Sequence, residues 1–193
     1  MKRIILASGS PRRKMLMEWA EITFEIIVSD IDESFPDDLN PVDVALFIAK
    51  NKNKAVFECM ETEDDKTDAL VISADTIVVL NDEIIGKPLN RDHAIQILQK
   101  LSGQKHAVIT AVVMRNSQKE IAFADTTQVT FHELTKEQIV FYVDHYQPYD
   151  KAGAYAIQEW IGVVGIKSIE GDFYNVMGLP ISRVVNFINS AFF

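Results

Sequence analysis

The segment ALVISADTIVVL, residues 69 to 80, constrains the fold of this chain more than any other. It is a long apolar run with an aspartate, Asp75, in its middle. Such a run, rich in β-branched residues and bounded by turn signals, reads as a buried strand. Asn81-Asp82 follows and predicts a turn into a hairpin with EIIGKP. Asp75 is the anomaly. A carboxylate within a buried strand has to be paired, hydrogen-bonded or bound to a metal. On one reading it is structural, capping a local bend with Thr76. On the other it binds a divalent cation or takes a proton from water.

The other segments set this strand in a mixed sheet. IILA at the N-terminus, TFEIIVS, HAVITAVVMR, EIAFADTTQVTF and IGVVGIKSIEG read as further strands. Helices are expected to open at Pro11, with Met15, Leu16 and Trp19 inside, and at Asn40-Pro41, Asn90 and Thr135. GLPISRVVNFINSAFF reads as a closing helix. Gln138 is placed for a capping box with Thr135. Strands and helices interleave, yet several strands join by hairpins. The expected class is therefore α/β with a mixed sheet and flanking helices. With 193 residues, 48% of them hydrophobic, the chain suffices for a single domain, residues 1 to 193, either undivided or with two lobes.

Charge and cysteine content narrow the function. A net charge of −9 argues against DNA or RNA as the main partner, which would need a broad basic surface. Cys59 is the only cysteine, so neither an intramolecular disulfide nor a cysteine zinc cluster is expected. The apolar run after Met1-Lys2-Arg3 is too short for a signal peptide, and no stretch approaches a membrane span. A soluble, cytoplasmic protein is expected.

A small phosphate ligand needs only a few cations in one place, and the sequence supplies them. Ser8-Gly9-Ser10-Pro11-Arg12-Arg13 follows the first strand. Ser10 suits a helix N-cap and Pro11 the first helical position. The N–H groups and positive dipole end of such a helix attract anions, and arginines fork onto phosphate oxygens. Two cations in a first turn oppose the dipole at roughly 0.3–1 kcal/mol each when exposed, a cost that a bound anion removes. The alternative is a capped surface helix with solvated arginines. Lys52 falls on the apolar stripe of Ala45, Ala49 and Val56. Lys87 lies in the hairpin after Asp75, and Asp32 and Glu33 lie in a loop. Together these residues equip metal-assisted nucleotide chemistry.

LASGSPRRKML, the lysine of AKNKNKA, ISADTIVV, GKPLNRDHAIQILQKLSGQKHAVIT, YDKAGAYAIQ and GDFYNVMGLPIS occur in that order over nearly the whole chain. Together they resemble the Maf family of nucleotide pyrophosphatases. The resemblance implies a fold like that of inosine triphosphate pyrophosphatase, with two lobes around a cleft. It implies hydrolysis of a nucleoside triphosphate to monophosphate and pyrophosphate with Mg²⁺ or Mn²⁺. By position Asp75 matches the proton acceptor, and Ser8, Arg12, Arg13, Lys52 and Lys87 match the phosphate-binding residues. Glu33, with Asp75, matches the metal position. Arg12, Thr76 and Gln158 match the branch acting on dTTP and UTP, and a glutamine amide suits the imide edge of those bases. A pyrophosphatase for 7-methyl-GTP or other modified nucleotides, and a non-catalytic nucleotide-binding regulator of septum formation, are the competing expectations. Members are often homodimers, and some are linked to arrest of septum formation, so a cell-division partner is a further expectation. Ala111 and Ala156 stand where the family usually has glycine, and Glu159-Trp160 replaces small residues after Gln158.

Overall fold

The structure, a computed structural model, describes residues 3–28, 30–60, 66 and 69–192. The charged segment ETEDDKTD, apart from Lys66, lies outside the described residues. Among the described residues, seven strands form one mixed sheet: β1 (Arg3–Leu6), β2 (Glu25–Ile26), β3 (Ala69–Leu80), β4 (Glu83–Ile85), β5 (Lys105–Arg115), β6 (Glu120–Phe131) and β7 (Ile166–Glu170). Their order is β2-β1-β3-β5-β6-β7, with β4 paired to β3. β1 runs parallel to both β2 and β3, whereas β4 is antiparallel to β3 and β7 to β6. The helices are α1 (Pro11–Trp19), α2 (Pro41–Glu58), α3 (Arg91–Leu101), α4 (Lys136–Tyr146), α5 (Trp160–Gly165), α6 (Phe173–Met177) and α7 (Ile181–Phe187).

The chain divides into two compact units. The first comprises Met1–Asp75, Thr110–Asp125 and Gly178–Phe193; the second comprises Thr76–Ile109 and Thr126–Met177. In the first, Ile5, Ala7, Val56, Phe57, Met60, Ala69 and Val71 form a buried cluster. This packs α2 onto β1 and β3, with Arg115 over the Phe57 ring at 4.3 Å. In the second, α3 packs against α4, and His106, Phe131 and Tyr155 stack within the core.

Local chemistry explains the boundaries. Asn40 accepts from the Asp43 N–H and Asn90 from the His93 N–H, each with its side-chain oxygen, so both cap a helix. Thr135 and Gln138 form the reciprocal capping box expected of them. The β3–β4 turn puts Asn81 and Asp82 at φ 49° and 64°. Both signs are positive, as a two-residue hairpin matched to strand twist requires, and Asn and Asp tolerate that region.

Three sequence expectations are corrected. Trp19 is 60% exposed, because the nine-residue α1 buries Arg13, Leu16 and Met17 and its last residue turns away from that face. TFEIIVS yields only the two-residue β2. The strand expected from Ile161 onward begins at Ile166, after the short helix α5. Gly162 makes that helix possible: a Cβ there would lie 1.7 Å from the Ile157 carbonyl oxygen. Ala111 and Ala156 are buried and absent from the positive-φ residues, so alanine meets no backbone penalty at either place.

Candidate active site

The first unit gathers Ser8, Arg12, Arg13, Glu33, Lys52 and Asp75. The gathering starts from two periodicities. On β3, Ser73 and Asp75 are two apart and point to one face. On α2, Ala49, Lys52 and Asn53 are three and four apart and share one face. These faces meet. Ser73 Oγ donates to the Ala49 carbonyl at 2.8 Å, and Lys52 Nζ donates to Asp75 Oδ1 at 2.8 Å. Asn53 Nδ2 donates to the Val71 and Val113 carbonyls at 3.0 and 3.1 Å, which ties α2 to β3 and β5. The lysine on an apolar stripe and the aspartate in an apolar strand thus account for each other.

Lys52 holds a second carboxylate. Its Nζ lies 2.6 Å from Glu33 Oε1. The Asp32 carboxylate accepts from both the N–H and the hydroxyl of Ser34, at 2.9 and 2.7 Å. That turn fixes the loop on either side of Glu33. These Ser34 bonds also hold the Asp32 carboxyl below its usual range. The Lys52 and Asp75 side chains are 15% and 11% exposed, so their pair is largely shielded from water, while Glu33 reaches in from the surface.

Arg13 is buried rather than displayed. Its Nε donates to the Gly178 carbonyl at 2.8 Å and its Nη1 to Ser8 Oγ at 3.0 Å. Burial is the main influence on its guanidinium and lowers its pKa; the negative charges of Asp75 and Glu33 oppose this, and Arg12 adds to it. Ser8 is buried and its Oγ also accepts from the Ser10 N–H at 3.3 Å. With both lone pairs engaged, the Ser8 hydroxyl keeps its hydrogen to donate to a ligand oxygen. Ser10 occupies the N-cap of α1 with Pro11 after it, but its side chain makes no capping bond, and the first turn contains no acidic residue. Arg12, half-buried, stands in that same turn.

Thr76, Lys87 and Gln158 belong to the second unit. Thr76 directly follows Asp75 on β3 and is half-buried. Lys87 is exposed, just past the end of β4. Gln158 is exposed, in the turn closed by the Glu159 N–H donating to the Ala156 carbonyl at 3.0 Å. Asn53 and Ser73, which fasten α2 to β3, were not anticipated from sequence. Their signal was available: two small polar residues within otherwise buried faces.

Two carboxylates converging on one cation supply the oxygen donors that a hard divalent ion takes. Mg²⁺ characteristically takes one or two protein carboxylates and completes its shell with water and substrate phosphates. Among the described residues no group of three His, Cys, Asp or Glu side chains is placed to hold a metal. Asp75 and Glu33, already sharing the Lys52 ammonium, are the pair that fits. No helix among the described residues is long and apolar enough to cross a membrane.

Comparison with known proteins extends these observations. Residues 3–191 match the family model described as Maf-like protein. A dTTP/UTP pyrophosphatase of Parabacteroides distasonis is 45% identical over 183 residues, covering 94% of this chain and 92% of the relative. Proteins of the same description from Cytophaga hutchinsonii and Bacillus cereus are each 46% identical; they cover 98% and 96% of this chain and 84% and 93% of their own lengths. Among solved structures, the Ham1 protein of Staphylococcus aureus is similar with a TM-score of 0.46 and 15% identity, over 68% of this chain and 73% of that one.

Proposed function

The chain belongs to the Maf-like protein family, and from that premise we propose that it hydrolyses dTTP and UTP to the nucleoside monophosphate and pyrophosphate. One observation carries the reading within the chain itself. Lys52 bridges Asp75 and Glu33, in the same unit as the Ser8–Arg13 segment at the start of α1. Relatives described as dTTP/UTP pyrophosphatases, alike over nearly full length, support the substrate class.

Each residue has a task. The start of α1, Arg12 and the Ser8 hydroxyl receive phosphate oxygens. Arg13 holds the Ser8 oxygen in place and adds positive charge behind it. Lys52 neutralises phosphate charge and orients Asp75. Asp75 takes a proton from a water molecule as the water oxygen bonds to the α-phosphorus. The bond from that phosphorus to the oxygen bridging to the β-phosphorus breaks, and pyrophosphate leaves with the electron pair. General-base assistance supplies about 10²–10⁴-fold, and positioning and charge stabilisation supply the rest. A divalent cation of the Mg²⁺ or Mn²⁺ kind, held by Asp75 and Glu33, would neutralise charge on the transferring phosphate. Thr76, Lys87 and Gln158 enter the proposal on their match to the family's positions, with Lys87 on phosphate and Thr76 and Gln158 on the nucleoside. A homodimer, a cytoplasmic location and a connection to septum formation belong to the same resemblance.

The test is a panel of canonical and modified nucleoside triphosphates, including 7-methyl-GTP, followed for product identity in ¹⁸O-labelled water. Pyrophosphate and a monophosphate carrying the label, fastest with dTTP and UTP, are expected. Orthophosphate release, label in pyrophosphate, or no turnover of any triphosphate overturns the reading.

A further inference from the structure

The turn that carries Gln158 is fastened at both ends to one buried phenol. Tyr142 lies on α4 and is fully buried. Its hydroxyl accepts from the Ala156 N–H at 3.1 Å and donates to Glu159 Oε2 at 2.5 Å. Ala156 and Glu159 are the two ends of the turn, joined directly by the Glu159 N–H donating to the Ala156 carbonyl. Ile157 and Gln158 are its two middle residues. A second fastening comes from Lys151, buried beside the turn, whose Nζ lies 3.8 Å from Glu159 Oε1. From below, the turn rests on Gly162: the Ile157 carbonyl occupies the space that any side chain there would need. All of these residues lie in the second unit.

Gln158 is the exposed member of a turn whose Ala156 and Ile157 are buried. Gln158 has a long side chain with several rotatable bonds, and its amide can meet a base edge reproducibly only if its backbone is fixed. The Tyr142–Glu159 bond is a phenol donating to a carboxylate, a class about twice as strong as a neutral pair. It reaches across 17 residues of chain to the residue directly after Gln158.

We infer that Tyr142 and Glu159 are positioning residues for base selection: they clasp the Gln158 turn and thereby set the preference for pyrimidine over purine triphosphates. The inference rests on the proposed activity and on Gln158 as a base contact. Neither residue touches the reacting phosphate. Their loss therefore acts on selectivity and KM and leaves kcat at saturating UTP largely in place. Glutamine at 159 keeps an acceptor for the phenol, but a neutral and weaker one, so Glu159→Gln loosens the clasp, while Glu159→Ala and Tyr142→Phe open it.

The experiment measures kcat and KM for UTP, dTTP, CTP and GTP in the wild type, Gln158→Ala, Tyr142→Phe, Glu159→Ala, Glu159→Gln and the Tyr142→Phe/Glu159→Ala double variant, with a thermal melt of each. The expected result is a fall of about tenfold in the UTP-to-GTP ratio of kcat/KM for Tyr142→Phe and Glu159→Ala, the equivalent of losing one good hydrogen bond. It comes through KM for UTP, is no larger in the double variant, and is smaller in Glu159→Gln. Should Tyr142→Phe lose the fold, the Glu159 pair still decides. Equal loss on all four nucleotides, or an unchanged ratio in Glu159→Ala while Gln158→Ala alters it, overturns the clasp and leaves the proposed activity standing. An unchanged ratio in Gln158→Ala removes the base contact and the clasp with it. A wild type that releases no pyrophosphate overturns the proposed activity and, with it, this inference.

Discussion

Asn53 gives the sharpest test of how the site is framed. Its side-chain amide is the peg between α2, which carries Lys52, and the strands β3 and β5. Asn53→Asp changes almost no volume but replaces the donating Nδ2 by an oxygen facing the Val71 and Val113 carbonyls. Each carbonyl loses a bond worth about 1–3 kcal/mol when a buried partner is orphaned. Val113 also keeps a long 3.5 Å contact from Ser73 Oγ. Against this, the wild-type Oδ1 already lacks a partner among the described residues, so part of the cost is present before the change. For Asn53→Ala the net loss is about 2 kcal/mol. For Asn53→Asp, which buries an unpaired charge against two acceptors, it is about 3–5 kcal/mol at pH 7.5.

The charged form of residue 53 is the costly one, so its carboxyl pKa rises in the folded state. Above the unfolded value, near 4, the penalty grows by up to about 1.4 kcal/mol per pH unit until the folded value is reached. The gap to wild type should therefore narrow at pH 5. Urea titrations followed by circular dichroism read this directly: with a slope near 2 kcal/mol per molar, Asn53→Ala lowers the midpoint by about 1 M and Asn53→Asp by about 2 M. An Asn53→Asp variant within about 0.5 kcal/mol of wild type at pH 7.5, or one whose deficit does not shrink at pH 5, refutes the peg.

Three further outcomes are expected. Lys52→Met keeps the apolar stem but leaves Asp75 and Glu33 without their shared ammonium; kcat/KM for UTP should fall by about 10²–10³-fold, and a change under threefold would count against the role given to Lys52. Gly153→Ala places a Cβ 2.9 Å from Val78 Cγ2 at a φ of +69°, so a loss of about 1–3 kcal/mol is expected in the same titration. Burial pushes the His106 imidazole down to about 4 from an ordinary value of 6.5, so the unfolded chain binds its proton first as pH falls. Stability from this group is full above pH 6.5 and is lost toward pH 4, about 2 kcal/mol by pH 5; His106→Gln should flatten that part of the pH–stability curve.

Much of this architecture was readable in advance because it rests on short-range rules. The caps at Asn40, Asn90 and Thr135 and the Asn81-Asp82 turn each follow from a few neighbouring residues. Lys52 and Asp75 were conspicuous for the opposite reason: each violates the apolar pattern around it, and the two violations cancel when α2 meets β3. Glu33 was weaker, since a loop carboxylate in an acidic segment gives no period to read. Arg13 looked like a displayed cation, but its position one turn before Met17 on the buried face of α1 made it an interior residue bonded to Ser8 and Gly178. The Tyr142–Glu159 clasp was invisible because its partners are 17 residues apart and no local pattern couples them. Likewise, only the packed structure reveals that Gly162 sits on the Ile157 carbonyl and turns the expected strand into α5.

The most direct measurement is the single-turnover rate of pyrophosphate release from UTP by Asp75→Asn. The substitution keeps the shape of a side chain that is 11% exposed, and Glu33 continues to hold Lys52, so the fold persists. With the proton acceptor gone, the rate should drop by at least about 10²–10⁴-fold, while the melting curve stays near that of the wild type. A folded Asp75→Asn protein that turns over UTP at the wild-type rate would contradict the account at its centre.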